Sequence, residues 1–188
     1  TFSDHGGEAQ MALRPEFTAG ICRAFVSNSL YDQVPFKVFA AGPLFRYERP
    51  QKGRQRQFHQ INAEILGASG PAADVELLAL AQHILEELKV SQDVTLKVNT
   101  LGDPESRAIY REKLIAYLEP YKFDLSDVSR TRLQRNPLRI LDSKSERDRE
   151  IVANAPLLKD HLNNASQKFF DEVCEGLTNL GIGFSVDL

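Results

Sequence analysis

The stretch from Gly42 to Gly67, GPLFRYERPQKGRQRQFHQINAEILG, constrains the fold of this chain most strongly. Two runs of alternating side chains flank a segment that contains Pro, Gly and basic residues, which is typical of two strands joined by a turn. Successive residues of a strand face opposite sides, so residues two apart share a face. In the second run the two faces are Phe58, Gln60, Asn62 and Glu64, and His59, Ile61, Ala63 and Ile65. We predict an antiparallel ribbon whose apolar second face packs into the core.

The polar face of this ribbon has two interpretations. An ordinary antiparallel ribbon with one solvated face shows the same alternation. Phe58, however, lies in line with Gln60 and Glu64, and a flat ring beside fixed polar groups suits a heteroaromatic ligand. The connecting segment adds four cations, Arg49, Lys52, Arg54 and Arg56. Because guanidinium groups match phosphate oxygens, this segment favours a polyphosphate or nucleic-acid ligand.

A resemblance to a known family rests on these residues. The run FRYERPQKGRQRQFHQINAEILG resembles the second signature motif of class II aminoacyl-tRNA synthetases, in the form found in the histidyl-tRNA synthetase family. ALRPEFT at residues 12–18 is similar to the histidine-binding segment of that family, and the order of elements, including NPLRILDSK at 136–144, is similar to it throughout. The resemblance implies ATP-dependent activation of histidine to histidyl-adenylate, followed by transfer to tRNA(His).

The resemblance also implies roles for individual residues. For ATP, expected as its Mg2+ complex, it implies Arg46 as the catalytic arginine at the α-phosphate and the substrate carboxylate, Glu48 at the adenine amino group, Arg54 at the γ-phosphate and Phe58 stacked on adenine. For histidine, it implies Glu16 and Thr18 at the α-amino group, Gln60 beside the amino acid and Glu64 as acceptor of an imidazole N–H. Phe17 and Asn62 depart from many or some members, and neither is given a role.

Composition limits the remaining possibilities. The 188 residues are 42% hydrophobic and 26% charged, which is ordinary for a globular protein with one core or a core and an appendage. A net charge of -3 means that any RNA contact must come from local patches. Without a signal peptide or an apolar run of about 18 residues, we expect a cytoplasmic protein with no membrane contact. Cys22, Cys174 and the four histidines lack metal-ligand spacing, so we predict no bound metal and no zinc.

The predicted fold is α+β, with part of a class II antiparallel sheet and flanking helices followed by an all-helical insertion. Residues 1–101 form the partial catalytic core, with a hairpin around Gly6 and Gly7, a helix from Pro15 to about Asn28 and a helix at 71–89 buried against the sheet. Asp103 and Pro104 predict a helix start. Helices at about 104–119, 126–134, 146–153 and 164–180 then make an insertion domain at 102–181, and 182–188 form the return strand of the core.

A basic segment in the predicted insertion has two interpretations. Arg130, Arg132, Arg135 and Arg139, with Lys144, Arg147 and Arg149, are interspersed with the acids Asp142, Glu146 and Asp148. Such interleaving is typical of a solvated helix face with ion pairs. The resemblance, at the level of whole elements, instead implies contacts to phosphates of the tRNA acceptor arm. Both interpretations stay open.

Two other function classes compete with the ligase. A non-catalytic paralogue, such as the regulatory subunit of ATP phosphoribosyltransferase, would keep the fold, but the joint presence of Arg46, Glu48, Arg54 and Phe58 argues against it. An RNA-binding module explains the basic loop but not the convergence of Glu16, Gln60 and Glu64. Both ends fall within strand patterns, so we expect an excised portion of a longer protein. The resemblance implies that this parent protein is a homodimer and that the present portion is inactive alone, because the family's first and third motifs would lie outside it.

Overall fold

A computed structural model describes residues 2–3 and 10–187 of the chain. The chain forms two compact units, Thr1–Ala73 and Asp74–Leu188. The mixture of helices and strands confirms the α+β class. The boundary between the units differs from the predicted domain boundary at 101/102, which stays a prediction. None of the helices formed by the described residues is long and apolar enough to span a bilayer.

The first unit is built on the predicted ribbon. Strands β1 (Phe2–Ser3) and β2 (Gln10–Met11) pair antiparallel, which confirms the first hairpin, although its turn at Gly6 and Gly7 lies outside the described residues. Strands β3 (Phe36–Phe45) and β4 (Gln57–Leu66) pair antiparallel over their whole length, from Phe36 opposite Leu66 to Phe45 opposite Gln57. This register confirms the central ribbon.

Helix α1 (Thr18–Ser27) begins later than predicted. Pro15 was expected in its first turn, but it lies before the helix, and its carbonyl accepts a hydrogen bond from Nε of Arg46 at 3.0 Å. At the other end of the helix, the ring of Phe25 lies 5.4 Å from that of Tyr31 and 5.7 Å from that of Phe36, measured between centroids. The helix is thereby fixed to β3, and its N-terminus is held near the ribbon.

The burial of the ribbon corrects the sequence-based prediction. The alternation of faces is as predicted, but the apolar face of the ribbon is not fully buried by the residues that the structure describes, since Ile61 on β4 is 63% exposed and Phe39 on β3 is 74% exposed. The other face is the more covered one, because α1 contributes Thr18 to it and Leu44 on β3 is fully buried there. The polar side chains of this face can be partly buried because they form hydrogen bonds with one another.

The second unit has two apolar cores. Helix α2 (Pro71–Glu87) packs through Val75 and Leu78 onto α7 (Asn164–Asn179) and β5 (Leu96–Val98). A Cβ built at Gly176 of α7 would lie 2.7 Å from Val75, so the close approach of the two helices requires glycine. Helix α2 packs against a strand as predicted, but it is less buried than predicted, because none of its residues is fully buried.

The other core lies within the helical segment. Helices α3 (Pro104–Leu118), α4 (Asp127–Arg135), α5 (Leu138–Leu141) and α6 (Glu146–Val152) enclose Tyr110, Leu114, Leu118, Leu125, Leu133 and Ile140. Helices α3, α4, α6 and α7 confirm the four predicted helices, while the short α5 was not predicted. Strand β6 (Phe184–Val186) then pairs with β5. This pair is parallel rather than antiparallel, because the helices between the two strands form a crossover connection.

The N-termini of α3 and α7 are tied together. Asp103 caps α3 by accepting from the Ser106 N–H at 2.8 Å, as predicted, and Asn163 caps α7 by accepting from the Ser166 N–H at 2.9 Å. Nδ2 of Asn163 also donates to Asp103 at 2.7 Å. The Asp103 N–H donates to Oγ of Ser166, and the Asn163 N–H to Oγ of Ser106. The two caps therefore hold each other in place.

Candidate functional site

A carboxylate on β4 is the centre of the candidate site. Glu64 and Asn62 share one face of the strand, and the N-terminus of α1 brings Thr18 over them. The Thr18 hydroxyl donates to Oε1 of Glu64 at 2.5 Å, and Nδ2 of Asn62 donates to the same oxygen at 3.3 Å. Within residues 10–187, Oε2 of Glu64 receives no hydrogen bond. One oxygen of the carboxylate is thus held, and the other is available to a ligand.

Glu16 lies at the start of the same helix. Both of its carboxylate oxygens lie 3.0 Å from the Ala19 N–H, so the side chain caps α1 from outside the helix. Phe17 at the N-cap position has no side-chain oxygen to do this. A negative charge is stabilised at a helix N-terminus. Glu16 therefore has the structural role that the sequence allowed, and its role toward histidine stays a prediction.

Arg46 follows β3 and joins the ribbon to the segment before α1. Its Nε donates to the carbonyl of Pro15, and its backbone N–H donates to the carbonyl of Arg56 at 2.9 Å. The guanidinium carbon lies 5.0 Å from the centroid of the Phe58 ring, a cation–π distance. The two predicted ATP ligands Arg46 and Phe58 are therefore in contact, with the charge over the ring.

The connecting loop pairs the two other predicted ATP ligands. Nε of Arg54 lies 3.1 Å from a carboxylate oxygen of Glu48. Gly53 has a φ of 74° in the turn between Gln51 and Arg54, where a left-handed backbone favours glycine. The side chains of the pair are 60% and 37% exposed, so water screens the attraction and its contribution to stability is small. The ion pair can therefore exchange partners easily.

Gln60 lies opposite Gly42 in the register of the ribbon and is half-buried. Its side chain makes no hydrogen bond to the residues that the structure describes. A Cβ at Gly42 would lie 3.1 Å from the guanidinium of Arg14, which donates from Nε to the Pro43 carbonyl at 2.9 Å. Because the Gln60 side chain makes no hydrogen bond to the described residues, its amide is available to a ligand on the same face as Glu64.

The predicted tRNA residues belong to the second unit. Arg130 forms an ion pair with Asp127 at 3.1 Å, and Arg132 donates to the carbonyl of Arg139 at 3.3 Å. Arg135 and Arg139 are exposed. These contacts fit a solvated helix face in part, and they leave two exposed cations for a nucleic-acid ligand. Contact with tRNA stays a prediction.

One acid of the basic segment is not part of a solvated face. Asp148 is fully buried and accepts hydrogen bonds from the Ser126 N–H and from three hydroxyl groups, those of Ser126, Ser129 and Ser143, at 2.6 to 2.8 Å. Burial raises the pKa of the carboxyl, but the four hydrogen bonds together outweigh it and lower the pKa to about 2. Asp148 therefore takes no part in the ion pairs that the solvated-face interpretation expected, since its partners are neutral donors.

Sequence reasoning also missed Asn62. It was given no role, yet it contacts both Glu64 and Thr18, at 3.3 and 3.5 Å. Its Oδ1 is buried and has no hydrogen-bond partner among the described residues. The signal in the sequence was its position between Gln60 and Glu64 on the polar face. Because Asn62 lies between Gln60 and Glu64 on one face of β4, it lies beside any ligand that contacts both of them.

Comparisons with known proteins agree with the motifs. A family model described as histidyl-tRNA synthetase matches residues 1–102. Histidine--tRNA ligases of Rickettsia typhi and Rhodospirillum rubrum are 53% and 54% identical over 187 residues, which is 100% of this chain and 45% of each relative. The crystal structure of apo histidyl-tRNA synthetase from S. aureus matches with a TM-score of 0.72 at 32% identity, covering 93% of this chain and 40% of that one.

These matches confirm the resemblance seen in the sequence. The α+β fold is similar to that of an aminoacyl-tRNA synthetase of known structure. Within that class, the chain belongs to the histidyl-tRNA synthetase family. It spans about half the length of the curated relatives that it matches.

Proposed function

We propose that the complete polypeptide containing this sequence is a histidine-tRNA ligase, which activates histidine with ATP and transfers it to tRNA(His). The observation that carries the proposal is the half-bonded carboxylate of Glu64, held by Thr18 on one face of the ribbon that also carries Arg46 and Phe58. A site that combines an acceptor for a cationic or N–H ligand with an arginine beside an aromatic ring suits an amino acid together with a nucleotide.

The histidine subsite is proposed around Glu64. Oε2 of Glu64 accepts an imidazole N–H, because it has no other donor among the described residues. Glu16 and Thr18, at the start of α1, would hold the α-ammonium group, and the free amide of Gln60 would lie beside the amino acid. Such a site discriminates strongly against analogues without the N–H group, because a buried polar partner would then be left unpaired.

The ATP subsite is proposed around Arg46 and Phe58. ATP enters as its Mg2+ complex, and among residues 2–3 and 10–187 no cluster of three His, Cys, Asp or Glu side chains could hold a metal by itself. Adenine stacks on Phe58 while Arg46 turns toward the α-phosphate. Arg54 exchanges Glu48 for the γ-phosphate, which leaves the Glu48 carboxylate to accept from the adenine amino group. The exposed ion pair makes this exchange inexpensive.

The proposed first step is an adenylyl transfer, in which the protein positions the reactants and neutralises charge. The histidine carboxylate attacks the α-phosphorus, the mixed anhydride histidyl-adenylate forms, and pyrophosphate leaves. A terminal tRNA hydroxyl then attacks the acyl carbon, the bond to the phosphate oxygen breaks, and AMP leaves while the hydroxyl proton passes to its phosphate. Arg46 stabilises the charge that develops at the α-phosphate. His59 takes no part in the formation of histidyl-adenylate, because the ionised carboxylate of histidine needs no general base.

The experiment that tests this proposal is histidine-dependent ATP–pyrophosphate exchange by the complete polypeptide. Arg46→Ala should lower the rate by about 100-fold or more, because an interaction with developing charge is lost. Lys168→Ala, a change at an exposed lysine of α7, serves as the control and should leave the rate unchanged. Histidine binding without any exchange in the unaltered protein would instead identify a non-catalytic paralogue. An Arg46→Ala variant as active as the unaltered protein would reject the proposed site.

The tRNA contact is proposed for the arginines of α4 and α5, and its test is separate. Reversing Arg135 and Arg139 to Glu should weaken tRNA(His) binding about tenfold and reduce its salt dependence, because phosphate contacts release counterions. Arg130 and Arg132 already have protein partners, so their reversal should have smaller effects on affinity. Equal tRNA affinity and equal salt dependence in all variants would show that these residues form only a solvated face.

A further inference from the structure

Asn62 holds two polar groups in the covered face of the ribbon, and only one of them is satisfied. Nδ2 donates to Oε1 of Glu64 at 3.3 Å and lies 3.5 Å from the Thr18 hydroxyl. Oδ1 is buried and lacks a hydrogen-bond partner in the part of the chain that the structure describes. Buried polar groups in native proteins are nearly always bonded, so an exception needs an explanation.

The neighbours of Asn62 exclude a simple local solution. Rotating the amide by half a turn would bring Oδ1 against Oε1 of Glu64, where a carboxylate can only accept. The single proton of the Thr18 hydroxyl is already donated to Glu64. The Glu64 carboxylate therefore fixes the orientation of the amide, with Nδ2 toward Glu64 and Oδ1 away from it. Neither contacting side chain can supply the missing donor.

The same cluster lacks a second donor. Oε2 of Glu64 has no partner among residues 10–187, so two neighbouring side chains each present an unfilled acceptor. A ligand that brings N–H groups would satisfy both, whereas an anionic ligand would satisfy neither. Histidine offers such groups on its imidazole ring and on its α-ammonium. The geometry therefore favours a ligand donor for Oδ1.

We propose that Asn62 is a further specificity-determining residue of the amino-acid subsite: its Nδ2 holds Glu64 in place, and its Oδ1 accepts an N–H group of the bound histidine. This inference rests on the proposed function. It assigns a role to a side chain that the motif comparison left without one. The two halves of the amide act together, because the bond to Glu64 is what points Oδ1 away from the carboxylate.

The test compares ligands with and without each N–H group in the complete polypeptide. Asn62→Ala should raise the KM for histidine about tenfold in pyrophosphate exchange and leave the KM for ATP unchanged, since the ATP residues lie elsewhere on the ribbon. Competitive inhibition is then measured with thienylalanine, whose ring has no N–H, and with imidazolepropionate, which has no α-ammonium. The penalty should disappear for the analogue that lacks the donor, and this identifies which group Oδ1 accepts.

Two further variants keep the test sharp. Asn62→Asp has nearly the same shape but places a second negative charge against Glu64, so its KM for histidine should rise more than that of Asn62→Ala. Asn28→Ala is the control, because the Asn28 amide is exposed and, among the described residues, donates to the carbonyl of Ala24 in its own helix and to no ribbon residue. Its KM should equal that of the unaltered protein.

The outcomes separate this inference from the function on which it rests. No histidine-dependent exchange in the unaltered protein would reject the proposed function. Exchange in that protein with an unchanged KM in both Asn62 variants would reject the role of Asn62 alone. An equal penalty for histidine and for both analogues would also overturn it, because a structural defect would weaken all three ligands alike.

Discussion

Two carboxylates of this chain, Glu64 in the first unit and Asp148 in the second, are both bonded by neutral donors, but they differ in how completely. Asp148 is fully buried, and its two oxygens accept four hydrogen bonds. Glu64 is half-buried, and both of its donors approach the same oxygen. A closed set of bonds stabilises a fold, whereas an open set leaves capacity for a ligand. The difference predicts opposite results for matched substitutions.

The largest expected effect comes from Glu64→Ala. It should lower kcat/KM for histidine-dependent exchange about 1,000-fold, because a site built to bond an N–H group loses its acceptor. The free energy of unfolding should change by less than about 1 kcal/mol, since among the described residues only Thr18 and Asn62 lose a partner, and Thr18 is exposed and Asn62 half-buried. Exchange kinetics and urea unfolding measure the two quantities. A loss of more than about 1 kcal/mol in the free energy of unfolding would contradict the contrast between the two carboxylates.

Asp148→Ala should do the reverse. Removing the carboxylate leaves the Ser126 N–H and three hydroxyl groups without their acceptor in a buried place, and we expect a loss of about 3 kcal/mol in the free energy of unfolding. The KM values for histidine and ATP should stay within about twofold of the unaltered protein while the variant is folded. Urea unfolding monitored by circular dichroism provides the measurement. A variant as stable as the unaltered protein would show that these bonds are dispensable.

Acid should weaken the second unit through the same residue. Its neighbours lower the pKa of Asp148 from 3.8 to about 2, so the unfolded chain binds the proton more readily than the folded one. The resulting stabilisation, about 2 kcal/mol, is fully present above pH 3.8 and is lost as the pH falls from there toward 2. The difference in unfolding free energy between the unaltered protein and Asp148→Asn should shrink over this range. A difference independent of pH would argue against an ionised, hydrogen-bonded carboxylate.

The smallest effects should follow from removing one donor at each carboxylate. Ser129→Ala deletes a buried hydroxyl that donates to Asp148 at 2.7 Å, and it should cost about 1 kcal/mol of stability. Thr18→Val deletes the hydroxyl that donates to Glu64, and it should change stability by less than about 0.5 kcal/mol, because Thr18 is exposed. The Thr18 variant should instead raise the KM for histidine several-fold. A loss of stability in Thr18→Val together with a raised KM for histidine in Ser129→Ala would contradict the comparison.

Local patterns predicted the local features of this chain. The alternation in β4 gave the correct faces, and Asp103 with Pro104 marked the start of α3 correctly. These features depend on neighbours within one turn or one strand, which a sequence displays directly. The predicted roles of Arg46 and Glu48 came from the resemblance instead, and no local rule would have supplied them.

Tertiary partners explain what was missed. Asp148 stands among arginines in the sequence, yet its partners are serines five to 22 residues away, and no periodicity announces them. The exposed Ile61 shows the same limit, because alternation separates two faces but does not decide which of them another element covers. In this chain the N-terminus of α1 covers the polar face, where Thr18 contacts Glu64.

The interlocked caps at Asp103 and Asn163 have a consequence for how this chain can evolve. They bring the first and last residues of a stretch of about sixty into direct hydrogen-bond contact, so the chain leaves the β5 and α7 layer and returns to it at one point. The segment between Asp103 and Asn163 is therefore joined at its two ends, and it has an apolar core of its own. Its length and surface can change without altering the distance that β5 and α7 must span.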